Sequence, residues 1–386
     1  MRLPAILIFL GLSGAICAQT PPPHLEALNS FADYANQSAD EVAAVVTSVM
    51  EYYPTLDRKN STPRFACPVQ LDHHYFNKAT EQNKALGATG FPSATRSFQE
   101  LHVAAEKIDE KCKALDTYHK LEDYKQDNYI NAEALLAELQ MLVKTYRAKQ
   151  DALRTELEKI YKKVTAATPD NAYRQADKKM QAVIAAERDL IDAWVFNLKE
   201  QIHTGWPVEK LQQSIPETNT QLGALSKNTP SLHYPASSMW TQFQSSLSAI
   251  LDIKRKGLDE YNFEAKKSDK HSNDLYLELI NYFNGTLVSD YNTFLKFSER
   301  DGYFGLKTIK YVPAFEIRTT IKTTAIEVEP FKDIPRVPFL VTAQKNPISK
   351  LAATALLNYV GFINETWRQT RNMEMSLTSF NASAAS

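Results

Sequence analysis

DNYINAEALLAELQMLVKTYRAKQDALRTELEKIYKKVTAA, residues Asp127 to Ala167, holds neither Gly nor Pro and is dense in Ala, Leu, Glu, Lys, Arg and Gln. Those residues lose little rotamer freedom in a helix, so the stretch predicts a single helix about 60 Å long at 1.5 Å per residue. Leu135, Leu139, Leu142, Tyr146, Leu153, Leu157, Ile160 and Val164 recur at steps of three and four around a polar gap at Gln150, which makes one stripe in need of a partner. Thr168-Pro169-Asp170-Asn171 then stops the helix and caps another, Ala172 to His203, with Tyr173, Ala176, Met180, Val183, Leu190, Trp194, Leu198 and Ile202 on one side. So short a turn makes the two helices antiparallel neighbours, a hairpin that serves as the spine of an all-α chain.

Working outward, the predicted helices are His24 to Tyr53, Leu71 to Leu86 and Ser93 to Lys125 before the spine, then Ser237 to Phe263, His271 to Ser298 and Pro347 to Phe380 after it. Gly205-Trp206-Pro207, Pro216, Gly223, Pro230 and Pro235 punctuate the chain between, with one short helix, Val208 to Ser214. The domain plan is therefore a leader at 1–18, an N-terminal helical half at 19–203, a connector at 204–236 and a C-terminal half at 237–386. Within the last, 302–346 carries Pro313, Pro330, Pro335 and Pro338 and the alternation Phe315, Ile317, Thr319, Ile321, Thr323. That pattern is extended chain, either a small β-hairpin beside an elongated antiparallel bundle or a crossover that sets the helices at 271–298 and 347–380 parallel. The triplets Tyr34-x-Asn36-x-Ser38, Tyr282-x-Asn284-x-Thr286 and Phe362-x-Asn364-x-Thr366 share one pattern, either an Asn repeated at equivalent contacts or chance, since Asn60 and Asn381 also precede x-Ser/Thr.

Arg2 followed by apolar Leu3 to Ile16 is shorter than the roughly 20 residues of a membrane span and reads as a signal peptide, cleaved after Ala18 or Cys17. Gly14 and Ile16 depart from the lipoprotein pattern around Cys17. The most apolar later run, Leu351 to Ile363, is thirteen residues and contains Thr354, Asn358 and Tyr359, so no transmembrane span is expected. The expected location is the periplasm or the extracellular medium. Cleavage leaves Cys67 and Cys112, an even count that in an oxidising compartment points to a disulfide. Closing a loop of about 46 residues stabilises by roughly 4 kcal/mol in the chain-entropy model.

Charge is balanced, 44 basic against 45 acidic residues, which argues against nucleic acid or an anionic membrane as partner. With 44% apolar residues there is enough to bury a core. The chain lacks His-Glu-x-x-His, Gly-x-Ser-x-Gly, Gly-x-Gly-x-x-Gly, a Walker loop and Cys-x-x-Cys, so an enzyme is not expected, and no cofactor is. The densest set of metal-ligand residue types is Cys67, Asp72, His73, His74, His102, Glu106, His119 and Glu122, from which His73, His74, His119 and Glu122 are the candidate metal ligands. His119-Lys120-Leu121-Glu122 resembles the His-x-x-Glu of imelysin-like proteins, which are exported helical bundles; Tyr118 and Thr117 stand where that family places Gly. The aromatic residues of the second half fall at helical spacing, which suits core packing more than a carbohydrate or peptide platform. The expected function is an exported non-enzymatic helical-bundle protein that binds or spaces envelope or extracellular components, its partner a protein or cell-envelope component; the alternative is a metal-binding periplasmic helical protein.

Overall fold

A computed structural model of the chain describes residues 21–316, apart from 57–62, 69–70, 167–168, 201–206 and 265–268. Its contacts divide the chain at Arg318 into two units, and every described residue lies in the first. The leader at 1–18, the stretch 317–346, the helix at 347–380, Asn60, Asn364 and Asn381 lie outside the described residues.

The described chain is mostly helical and contains no strand. Its helices are α1 (Pro23–Tyr52), α2 (His74–Ala85), α3 (Pro92–Lys120), the single turn α4 (Tyr124–Asp127), α5 (Ile130–Val164), α6 (Ala172–Glu200), α7 (Val208–Lys227), α8 (Ala236–Glu264), α9 (Asp269–Tyr282) and α10 (Ser289–Ser298). A π-helical turn, Phe283–Val288, joins α9 to α10. Pro stands in the first turn of α1 and α3, where its missing N–H costs nothing. The short helix expected at Val208 to Ser214 instead runs on to Lys227, straight through Pro216. Burial of Leu211, Ser214, Thr218 and Leu225 along one side outweighs the backbone bond that Pro216 removes.

The spine is where packing departs from pattern. α5 buries Leu136, Leu139, Val143, Tyr146, Gln150, Leu153 and Leu157. Leu135, Leu142 and Ile160 flank that stripe half-buried, and Val164 is exposed. The stripe packs along α3 and joins α1 in one apolar core, whereas α6 shares a second core with α7, α8, α9 and α10. The two helices do run antiparallel: the carboxylate of Asp177 reaches the field of Tyr161, Arg188 that of Arg154, and Asp192 lies 3.8 Å from Arg147. Their apolar faces turn away from one another, and the cores divide at the turn between them, ahead of the 204–236 connector.

What lies between is the extended segment 303–316. Leu306, Ile309, Val312 and Phe315 belong to the first core, and Tyr303 and Tyr311 to the second. The four residues in the first core recur at steps of three, rather than in the alternation of two expected further on. A buried extended backbone needs partners for its polar groups, and in the absence of a strand most of them come from four Asn side chains, with Arg188, Tyr276 and Tyr291 supplying others. Asn29 donates to the Gly305 carbonyl (3.0 Å) and accepts from the Lys307 N–H (2.9 Å), and Asn36 does the same with Thr308 (3.1 Å) and Lys310 (2.7 Å). From the other side Asn292 bonds both N–H and C=O of Thr308 (2.8 and 3.0 Å), and Asn284 both of Tyr311 (2.7 and 2.7 Å). Two α-helical turns rise about 10.5 Å and three extended residues about 9–10 Å, so seven-residue spacing on α1 matches three-residue spacing on the segment. Asp33 and Asp40 on α1 repeat the match, pairing with Lys307 (2.7 Å) and Lys310 (2.5 Å). Asn284 and Asn292 are eight apart, which would rotate them about 80° from register on a regular helix; the wide turn at Phe283–Val288 absorbs the extra residue. Asn36 and Asn284 of the triplet pattern both bond this segment but in different ways, Asn36 across two residues as Asn29 does and Asn284 to one residue as Asn292 does, although Asn29 and Asn292 stand outside the pattern. Gly305 packs closely at this crossing: a Cβ there would stand 2.4 Å from Leu295 Cδ2, so a larger residue would make the Leu295 side chain shift.

Thermal denaturation should register this clasp. Asn36→Ala leaves the part-buried Lys310 N–H without its partner at about 1–3 kcal/mol, the Thr308 carbonyl keeping Asn292, and Phe315→Ala removes a side chain that is 5% exposed at about 3–5 kcal/mol, so each should lower Tm by several degrees. Gln212→Ala, on the exposed side of α7, should leave it unchanged. The second core holds a buried ionic group: Lys254 bonds Glu187 (2.5 Å) and Thr218 (2.7 Å), and both charged side chains are at most 2% exposed. Lys254→Ala should cost about 3–5 kcal/mol by leaving Glu187 uncompensated, and Lys254→Met with Glu187→Met should recover most of it in the same melts.

Candidate functional site

Polar side chains interrupt the apolar face of α1 at Tyr34, Ser38 and Glu41, which at i, i+4 and i+7 share one side. They meet His102 and Glu106 of α3, one turn apart, Tyr146 of α5, and Asp72 and His73 of the loop that enters α2. The disulfide Cys67–Cys112, with Cα atoms 5.5 Å apart, ties that loop to α3.

The cluster is bonded in sequence. The Ser38 hydroxyl lies 2.7 Å from that of Tyr146 and also bonds Tyr34, whose own hydroxyl is 2.8 Å from His102 Nδ1. His102 Nε2 faces Glu106 Oε1 at 3.3 Å. Phe76 stacks on the His102 ring with centroids 3.7 Å apart, and the His73 ring stands edge-on to it at 5.4 Å. Glu41 accepts from the Asp72 N–H (3.3 Å) and from Gln37 (3.1 Å), while its Oε2 is buried with no hydrogen-bond partner among the described residues. Burial pushes the Glu41 carboxyl up and the His102 imidazole down, the latter against the opposing pull of Glu106, so His102 is neutral near pH 7.

The four residues expected to hold a metal are not brought together. His73 sits in this cluster. His74 is exposed beside the Tyr75 ring, and its N–H is held by Asp72 (2.8 Å). His119 lies seventeen residues beyond His102 on α3, about 25 Å along the axis, where its Nε2 is 2.6 Å from the Tyr52 hydroxyl among Tyr118, Tyr124 and Tyr129. Glu122 is exposed, takes a left-handed backbone (φ 59°) and pairs with Lys125. The i,i+3 spacing of His119 and Glu122 presumes a helix through both, and α3 ends at Lys120. Instead the ligand atoms of His73, His102 and Glu106 lie within 4.8 Å of one another. The shared face of His102 and Glu106 is legible from their i,i+4 spacing, but nothing in the sequence points to Tyr34 and Glu41 as their neighbours.

The aromatic residues of the second half behave as core: Trp240, Phe243, Tyr276, Phe283, Tyr291 and Phe294 are fully buried. Chemically, the chain Glu106–His102–Tyr34–Ser38–Tyr146 is able to orient an imidazole and pass a proton along hydroxyls, and it contains no activated nucleophile.

Burial lowers the pKa of both His102 and His119, so the folded protein resists taking up protons that the unfolded chain binds below about pH 6.5. Stability is therefore lost as pH falls through that value. Between pH 7 and 5, Tm should fall more steeply in the wild type than in His102→Gln/His119→Gln, and equal slopes would contradict the assignment. Comparison of the chain with family models, with curated proteins and with solved structures returns no match.

Proposed function

We propose that this protein is exported and does no chemistry of its own, acting as a helical protein that binds or spaces components of the cell envelope or the extracellular medium. The observation that carries this reading is the Cys67–Cys112 disulfide, a bond that persists in oxidising compartments and is reduced in most others. The apolar leader at 1–18 supports it. No helix among the described residues is long and apolar enough to cross a membrane.

In this reading an elongated antiparallel bundle with its extended crossover is the spacer, and α3 with α5 offers the contact surface. Of the large apolar side chains left exposed among the described residues, Val103, Leu121, Ile130, Met141 and Val164 all lie on or beside that pair. Leu121 and Ile130 flank its turn, where Tyr124 and Tyr129 stack at 5.2 Å. Two stacked rings beside exposed aliphatic side chains suit a protein or envelope partner better than bulk water does.

Mass spectrometry of the full chain expressed with its leader, in a host with an oxidising export route, tests the reading. The expected product begins at Gln19, or at Ala18 if cleavage follows Cys17, carries one disulfide and is found outside the cytoplasm. A cytoplasmic product that retains Met1 or Arg2 and two free thiols would overturn it.

A further inference from the structure

We infer that His73, His102 and Glu106 form a binding site for one divalent transition-metal ion of the zinc type, independent of whether the protein is exported. Two imidazoles and one carboxylate are the donor set of open zinc sites, in which a fourth position remains for water or another ligand. Nitrogen donors also select zinc, cobalt, nickel or copper over magnesium and calcium, which take oxygen.

The geometry is partly formed. At metal–ligand distances of about 2.0–2.1 Å, a tetrahedral site separates its donor atoms by about 3.3 Å. His102 Nε2 and Glu106 Oε1 already stand 3.3 Å apart, on one face of α3 at i and i+4. The His73 donor completes a set within 4.8 Å, and its side chain is exposed on the loop before α2, so a change of side-chain rotamer is enough to close the site.

His102 has the features of an anchoring ligand. It is 8% exposed, its ring plane is set by the Phe76 stack, and its Nδ1 meets the Tyr34 hydroxyl. A hydroxyl both donates and accepts, so the Tyr34 oxygen accepts a hydrogen bond from Nδ1–H when Nε2 turns its lone pair to a metal, and the Tyr34 O–H then donates to Ser38. Glu41 positions the other imidazole at one remove by holding the N–H of Asp72, the residue before His73. The disulfide ties the same loop to α3 and keeps both sulfurs from competing for the ion. His73 and Glu106 are exposed, so the remaining coordination position faces solvent.

Zinc titration of the oxidised full-length mature protein, in competition with a chromophoric chelator, tests the site. One equivalent should bind, and neither magnesium nor calcium in excess should displace it. Cobalt should give the intense visible absorption of a four- or five-coordinate ion. His73→Gln and Glu106→Gln alter exposed side chains, so each should keep the metal-free melt and weaken zinc binding at least tenfold. His102→Gln should abolish stoichiometric binding, and Tyr34→Phe should weaken it about 10–100-fold, as loss of the bond behind a ligand does. His74→Gln and His119→Gln should bind as the wild type. Unchanged affinity in both His73→Gln and Glu106→Gln, or loss confined to His119→Gln, would overturn the inference whatever His102→Gln does to folding.

Discussion

An extended backbone buried between two helical cores has no strand to satisfy it, and the fold depends on how that debt of hydrogen bonds is met. An Asn side chain presents one amide donor and one carbonyl acceptor in nearly the geometry of a peptide group, so it serves as a strand one residue long. Asn29 and Asn36 from one side, Asn284 and Asn292 from the other, hold the segment at three-residue intervals. Because those bonds go to backbone, the segment's side chains remain available for packing. Leu306, Ile309, Val312 and Phe315 fill one core, and Tyr303 and Tyr311 reach the other.

Several other buried polar groups converge on the same element. Asp177 accepts from Tyr291 (2.6 Å) and from Tyr303; Tyr311 bonds Asp192 (2.6 Å) and Arg147; Arg188 donates to the Ile309 carbonyl (2.6 Å); Tyr276 accepts from the Ala314 N–H (2.9 Å). Burial raises the carboxyl pKa of Asp177 even though two phenols bond it, the ordinary consequence of taking a carboxylate out of water. Such groups tolerate little displacement, since a half-satisfied network is worse than none. They join α5 to α6 largely through an intermediary, beside the direct pair of Arg147 and Asp192 at 3.8 Å, and they specify one register of the segment out of the many that apolar packing alone would allow.

The His102 cluster is assembled by the same helix, α1, from its neighbouring face. Tyr34 and Glu41 lie beside the Asn29–Asn36 row, so the residues that grip the extended segment and those that line the site are held by one rigid rod. The loop carrying His73 reaches that rod only because the disulfide and the Glu41 bond to Asp72 bring it there. Two of the donors, His102 and Glu106, thus share one face of α3, while the third, His73, comes from a loop that only the fold brings to them.

The sequence by itself determined what rests on local physics. Helix formers without Gly or Pro made α5 a helix, a short turn set α6 antiparallel to it, and the non-helical reading of the chain after Gly302 holds through Glu316, beyond which most of the residues that carried it lie outside the described residues. Of the four Asn that hold the segment, Asn36 and Asn284 stood in the triplet pattern and Asn29 and Asn292 did not. Only the tertiary structure decided which apolar stripe meets which, because every amphipathic helix advertises a need for burial without naming its partner. The stripe of α5 took α3, that of α6 took the later helices, and the space between went to a segment more than a hundred residues away. The same reason separates His119 and Glu122 from His73 and joins it to His102 and Glu106: spacing along one helix reports a shared face, while a site across elements exists only once their packing has been chosen.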